Sequence, residues 1–291
     1  MYGFDLLPSG FTNINVGIET DELKTALEEL GREELNIVNL AAARFDYGAT
    51  AEDYYRLNVE CHAKFLDSLK VCRIKKFIHI SSVASFEGRE IDYSNDLNCD
   101  DAYRSTKYLQ EVAIQKWCNE RDIELTILYP SAIFSDNPRP DTNIGKLQSV
   151  SKLIPFIPKI EVIKSLTYLP FFSQFIIDLV AGEISAGKYL TIEKPSLTVS
   201  KMIQIMSGHS IKLIYVPFFS VILKIIANFL YVLSFFGKID LKLTPNRVIK
   251  LFSDTSYNNV KNEDIDKKIY ASRNCEKLPE ILLRLIKDRK N

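Results

Sequence analysis

The chain has 291 residues, 46% of them hydrophobic and 25% charged, the balance of an ordinary folded protein. Its 37 Lys and Arg match its 37 Asp and Glu, which argues against a nucleic-acid partner. Five scattered cysteines without a C-x-x-C and three dispersed histidines argue against a disulfide framework and a zinc site.

In chain order, Thr12–Ile18 reads as a short strand, and Thr20–Leu30 as a helix capped by Thr20 and closed by Gly31. Leu35–Ala43, "LNIVNLAAA", is an apolar strand running into small residues. Ala51–Val71 carries apolar residues at helical spacing, Lys75–Ser82 ("KKFIHISS") is a strand, Asp101–Glu120 a helix and Ile123–Ser131 a strand. Strands separated by helices of this length predict parallel β-α-β units in a doubly wound α/β sheet. After Pro130 the rhythm changes to a Pro/Asp-rich loop, "SDNPRPDTN", and then to more helical sequence. Gly187–Met206 reads as a strand followed by a helix opening near Thr198 or Ser200. The apolar run Leu213–Phe236 suits a helix starting at Pro217, with Ser220, Lys224 and Asn228 as a polar stripe. A buried or subunit-contact helix is its first reading, an interfacial membrane helix the second and a spanning helix the last. The N-terminus has no basic region followed by an apolar core, so no secretory signal is expected.

Tyr103 and Lys107 lie four residues apart, on one face of the helix predicted over 101–120. A neighbouring ammonium favours the phenolate of a tyrosine, which suits proton exchange with a substrate hydroxyl. Tyr257 and Lys261 share the spacing but follow no strand end. Before Tyr103, by contrast, come Ser81 and Ser82 at one strand end and the small residues of "NLAAA" at another, with Pro130 after it. Ligands of parallel sheets bind beyond such carboxyl ends.

The motifs "VNLAAA", "YRLNVECHAKFLDSL", "KKFIHISS", "YRSTKYLQE" and "LTILYPSAIF" together resemble the extended short-chain dehydrogenase/reductase superfamily, in its NAD-dependent epimerase/dehydratase group. The resemblance covers Asn15 to Asn143 well. It implies a Rossmann-like sheet in residues 1–135 and a smaller, mostly helical substrate lobe in 136–291, part of which returns to the sheet and which includes the apolar helix 217–236. It further implies Tyr103 as general acid/base, Lys107 as its electrostatic partner and a ribose contact, and Ser82 orienting the substrate hydroxyl, with Ser81 as the alternative. Ala41 and Ala42 would line an NAD or NADP site, Asn58 would anchor its border, and Pro130 and Ser131 would approach the nicotinamide.

The chain also departs from the family. Its opening strand, glycine-rich turn and helix have no counterpart in the sequence, so the expected sheet is N-terminally incomplete. Ile18 replaces an acidic residue, Tyr129 an arginine and Ser135 a glycine. Val83 and Ala84 stand where sugar 4,6-dehydratases carry an Asp–Glu pair, which disfavours dehydration. The expectation is an epimerase or reductase for a nucleotide sugar or similar hydroxyl/keto compound, cytoplasmic, with a homodimer or peripheral membrane contact through 217–236 as further expectations. The competing one is a degenerate Rossmann-like protein that binds no dinucleotide and is inactive or a partner subunit.

Overall fold

The computed structural model describes residues 21–30, 34–42, 50–91, 99–136, 138, 143–151, 155–207, 211–236, 255, 269–270 and 279–280. The strand expected at 12–18, the caps Thr20 and Gly31, Ile18, and the Tyr257/Lys261 pair lie outside them. The chain divides into two compact units, residues 1–131, 173–191 and 263–270 in the first and 132–172, 192–262 and 271–291 in the second.

Among the described residues the first unit holds five parallel strands, in the order β1-β2-β3-β8-β11. These are β1 (Glu34–Asn39), β2 (Arg73–Ile80), β3 (Glu124–Pro130), β8 (Lys188–Thr191) and β11 (Ile269–Tyr270), so the Rossmann-like α/β architecture is the observed one. Among the described residues β1 is an edge strand. Helices α1 (Asp21–Leu30), α3 (Cys61–Ser68) and α5 (Cys99–Asn119) bury Leu23, Leu27, Leu66, Ile114 and Trp117 with Phe77 of β2 in one apolar cluster. The helix expected over 51–71 forms, but in pieces. Thr50 caps α2 (Ala51–Tyr55) in a capping box with Asp53, a π-helical turn spans Arg56–Glu60, and α3 ends in a 3-10 turn at Leu69–Val71. Short α4 (Ala84–Gly88) packs on α5 so closely that a Cβ on Gly88 would lie 2.0 Å from the Arg104 carbonyl oxygen.

Among the described residues the second unit holds three two-stranded pieces. β4 (Ala132–Phe134) pairs in parallel with β7 (Leu166–Tyr168), β5 (Phe156–Pro158) with β10 (Lys212–Ile214), and β6 (Ile163–Lys164) runs antiparallel to β9 (Leu197–Thr198). Between them lie α6 (Asn143–Ser151) and α8 (Val199–Ser207), whose Ile144, Met202, Ile203 and Met206 join Phe134, Ile157 and Tyr168 in its core. Thr198 Oγ1 accepts the Lys201 N–H at 3.2 Å, the cap expected for α8. Helix α7 (Leu169–Ala181) begins in the second unit and ends in the first, where Gly182 takes a positive φ of 80°. Helix α9 (Phe219–Phe236) presents Val221, Ile222, Ile225, Ile226 and Phe229 to solvent. Among the described residues no helix is long and apolar enough to cross a membrane.

Candidate active site

The described site belongs to the first unit, at the carboxyl ends of β1, β2 and β3. Parallel pairing brings these ends to one edge: Asn39 lies beside His79, and Ile80 beside Leu128. The chain leaves β2 through a tight turn. Ser81 N–H donates to Leu128 O at 2.8 Å and Val83 N–H to Pro130 O at 3.1 Å, so β2 and β3 end as one rigid lip. The turn also separates the two candidate serines. Ser81 is buried and its hydroxyl donates inward to Glu111 Oε2 at 3.2 Å. Ser82 is half-buried, and its Oγ accepts the Ala84 N–H at 3.2 Å, which leaves the hydroxyl proton available to a ligand. Val83, where the dehydratases carry an acid, is buried in the same turn.

Along α5 the buried side chains are Ala102, Ser105, Thr106, Lys107, Gln110 and Glu111, then Ile114, Trp117 and Cys118. The first half of that stripe is polar and the second apolar, so the helix spends its first half on something other than core. Tyr103 is half-buried and its ring meets Tyr54 edge-on at 5.9 Å. Its hydroxyl has no hydrogen-bond partner among the described residues. Lys107 is 1% exposed and donates to Ile80 O at 3.2 Å and to Gln110 Oε1 at 2.7 Å. Burial lowers the Lys107 pKa to about 7, against the pull of the Glu111 carboxylate, which raises it.

Asn58, 0% exposed on the π-helical turn, donates from Nδ2 to Thr106 Oγ1 at 3.1 Å, and Thr106 in turn donates to Ala102 O at 2.7 Å. That chain of bonds fastens the 51–71 helix to the turn of α5 that carries Tyr103. Ala41 and Ala42 follow β1 without bulk, and Ala41 O accepts Gln110 Nε2 at 3.0 Å. Pro130 is buried at the end of β3, with half-buried Ser131 after it. All the expected site residues therefore lie on, or just beyond the carboxyl ends of, β1, β2 and β3, on α5 and on the 51–71 helix of one unit.

Two features were not anticipated from the sequence. Glu111, 4% exposed, gathers Tyr129 OH at 2.6 Å, Gln115 Nε2 at 3.0 Å, the hydroxyls of Ser81 and Ser85 at 3.2 and 3.3 Å, and the Lys188 ammonium at 3.8 Å. Tyr129, where the family carries arginine, serves as a phenol donor to this carboxylate. The second feature lies under the end of β1, where Asn39 Nδ2 donates to His62 Nε2 at 3.3 Å and His79 Nδ1 at 3.2 Å. Ala41 N–H occupies Asn39 Oδ1 at 3.1 Å and so fixes the amide orientation. The proton of each imidazole then sits on His62 Nδ1 and His79 Nε2, both buried without a partner among the described residues. Burial, reinforced by the Lys107 charge, lowers the His62 pKa to about 3 and holds His79 well below its ordinary value.

A dinucleotide asks for small side chains along its path, a cation at its ribose and an unobstructed nicotinamide face. Ala41 and Ala42, the partly unused Lys107 ammonium and the lip at Pro130 fit that end of it. No metal-holding cluster of His, Cys, Asp and Glu occurs among the described residues.

Several solved structures share this fold. A UDP-glucuronic acid 4-epimerase from Bacillus cereus, crystallised with NAD, is 19% identical, with a TM-score of 0.55 over 72% of this chain and 70% of that one. A UDP-N-acetylglucosamine 4-epimerase from Methanobrevibacter ruminantium is 21% identical, with a TM-score of 0.54 over 70% of this chain and 69% of that one. A protein described as an epimerase from Burkholderia cenocepacia is 12% identical, with a TM-score of 0.57 over 97% of this chain and 88% of that one. At these identities the likeness is one of fold, and no curated protein matches the sequence. The family model described as "NAD dependent epimerase/dehydratase family" matches residues 15–167. That match spans more than half of the residues, and the chain accordingly belongs to the NAD-dependent epimerase/dehydratase family.

Proposed function

We propose that this chain is an NAD(P)-dependent epimerase or reductase acting on a hydroxyl or keto carbon of a nucleotide sugar or similar small molecule. The carrying observation is the Tyr103 hydroxyl, without a protein partner among the described residues, on the helix face that also bears a buried lysine. On this reading Tyr103 takes the proton of the substrate hydroxyl as the carbon is oxidised and returns it on reduction. Lys107 keeps positive potential beside that oxygen and offers its remaining N–H to the coenzyme ribose. Ser82 donates its hydroxyl proton to the same substrate oxygen, and Ala41, Ala42, Pro130 and Ser131 line the coenzyme, with Asn58 holding the wall behind them. The nicotinamide, when bound, supplies the hydride acceptor and donor. Residues 136–291, apart from the segments 173–191 and 263–270 that belong to the first unit, supply the substrate lobe.

Titration of the full chain with NAD and with NADP tests the first requirement, and a panel of UDP-sugars followed by chromatography tests the second. Tyr103→Phe should bind coenzyme within about threefold of the native protein and lose roughly 10²–10⁴ in turnover. Binding of neither coenzyme overturns the proposal and leaves the reading of a Rossmann-like protein without dinucleotide. Unchanged turnover in Tyr103→Phe overturns the role given to that residue.

A further inference from the structure

Lysine reaches its site on a flexible four-carbon stem, and its head group has no preferred direction of its own. What fixes Lys107 is the set of acceptors around Nζ. Ile80 O at 3.2 Å belongs to the backbone and holds in any variant, whereas the shorter bond, 2.7 Å, goes to the side chain of Gln110. The Gln110 amide admits one orientation. Its oxygen must face the ammonium, which only donates, and its NH₂ must then face Ala41 O, which only accepts, as the 3.0 Å contact shows. Gln110 is itself buried and lies one turn beyond Lys107 on the same helix. One planar group thus joins the buried ammonium to the small-residue wall at the end of β1.

We propose that Gln110 is a positioning residue, which holds the Lys107 ammonium in a single place and ties it to Ala41 where the coenzyme passes. The inference rests on the function proposed above for its consequence, though not for its geometry. The groups that bear on Lys107 are Glu111 and Gln110 from α5, His62 from α3, and His79 with the Ile80 carbonyl from β2. Both imidazoles are neutral, so Glu111 supplies the negative charge and Gln110 the direct neutral acceptor. A bond to the charged form favours that form, so losing it should make the lysine a weaker base.

The test compares Gln110→Leu, Gln110→Met and Gln110→Glu with the native chain. Lysine labelled at Cε reports the Lys107 titration by NMR, with the signal assigned by its loss in Lys107→Arg. The Leu and Met variants should lower the midpoint by about one pH unit, and the Glu variant, which keeps an acceptor and adds charge, should raise it by about one. Two apolar variants keep the test open if one fails to fold. Midpoints within a few tenths of native in all folded variants overturn the proposal. Coenzyme titration is the second readout. Leu and Met should weaken binding about tenfold, the loss expected for one bond to a charged group, and Glu, which keeps the acceptor for Lys107 but loses the bond to Ala41 O, should weaken it less than Leu and Met do. A native chain that binds neither NAD nor NADP sinks the proposed function alone, because the Lys107 titration still decides the role of Gln110.

Discussion

The pair of buried histidines makes a quantitative claim about acid. His62 falls from an ordinary 6.5 to about 3, with burial first and the Lys107 charge second as causes. Between these values the unfolded chain binds a proton that the folded chain refuses, so stability is whole above about 6.5 and is lost as pH falls. At pH 5 the loss is about 2 kcal/mol for one such histidine. A second effect works in the same direction, because a protonated Nε2 would face the Asn39 NH₂ donor to donor. Lys107, with a folded pKa of about 7, also takes up a proton between pH 7.5 and pH 5, but it does so in both proteins and cancels in their difference. His62→Gln keeps an acceptor for Asn39 and removes the titration. The single tryptophan, Trp117, lies in the core of the same unit and reports its unfolding by fluorescence. Urea unfolding at pH 7.5 and pH 5 should show the native chain losing about 2 kcal/mol more than His62→Gln. Equal losses in the two proteins, within about 0.5 kcal/mol, would refute the reasoning.

Two further substitutions probe other parts of the structure. Burial raises the Glu193 pKa from 4.5 to about 7, so the folded chain keeps a proton that the unfolded chain has released. That contribution is complete below about 4.5 and lost as pH rises through 7. Glu193→Gln should therefore gain roughly 3 kcal/mol on the native chain between pH 4.5 and pH 8.5, read by circular dichroism during denaturation; a constant difference would count against it. Gly88→Ala places a methyl 2.0 Å from the Arg104 carbonyl oxygen, inside backbone that cannot yield cheaply. It should cost about 3 kcal/mol, read as a fall in Tm of roughly 6–12 °C, and an unchanged Tm would show that α4 moves away freely.

Much of the first unit was legible because its signals are local. Alternating apolar strands and helices give parallel pairing, and the spacing of Tyr103 and Lys107 puts both on one helix face whatever surrounds them. Strand ends were read long. "NLAAA" and "ISS" continue the apolar and small-residue pattern, yet the ladders stop at Asn39 and Ile80, where side-chain bonds and the turn at Val83 take over. The π-helical turn at Arg56–Glu60 was invisible, because one wider turn shifts the phase of a helix without changing its composition. Glu111 and Gln110 look in sequence like surface residues of an amphipathic helix. Their burial depends on Tyr129, Lys188 and Ala41, contributed by three other strands or strand ends, which no window on α5 contains. The available signal was the buried stripe itself, which turns from apolar to polar on moving back from Ile114 toward Tyr103.

The ammonium of Lys107, with a pKa near 7, has a thermodynamic consequence for every ligand that touches it. About half of the molecules carry the charge at neutral pH. A ligand whose oxygen accepts from Nζ selects the protonated half, so each binding event draws a fraction of a proton from solution. Its measured heat then includes the ionisation heat of the buffer, and calorimetry in phosphate and in Tris would return different enthalpies for one and the same association. The affinity of such a ligand declines through the mildly alkaline range even when the ligand itself does not titrate. Proton concentration is in that sense a co-ligand of the site.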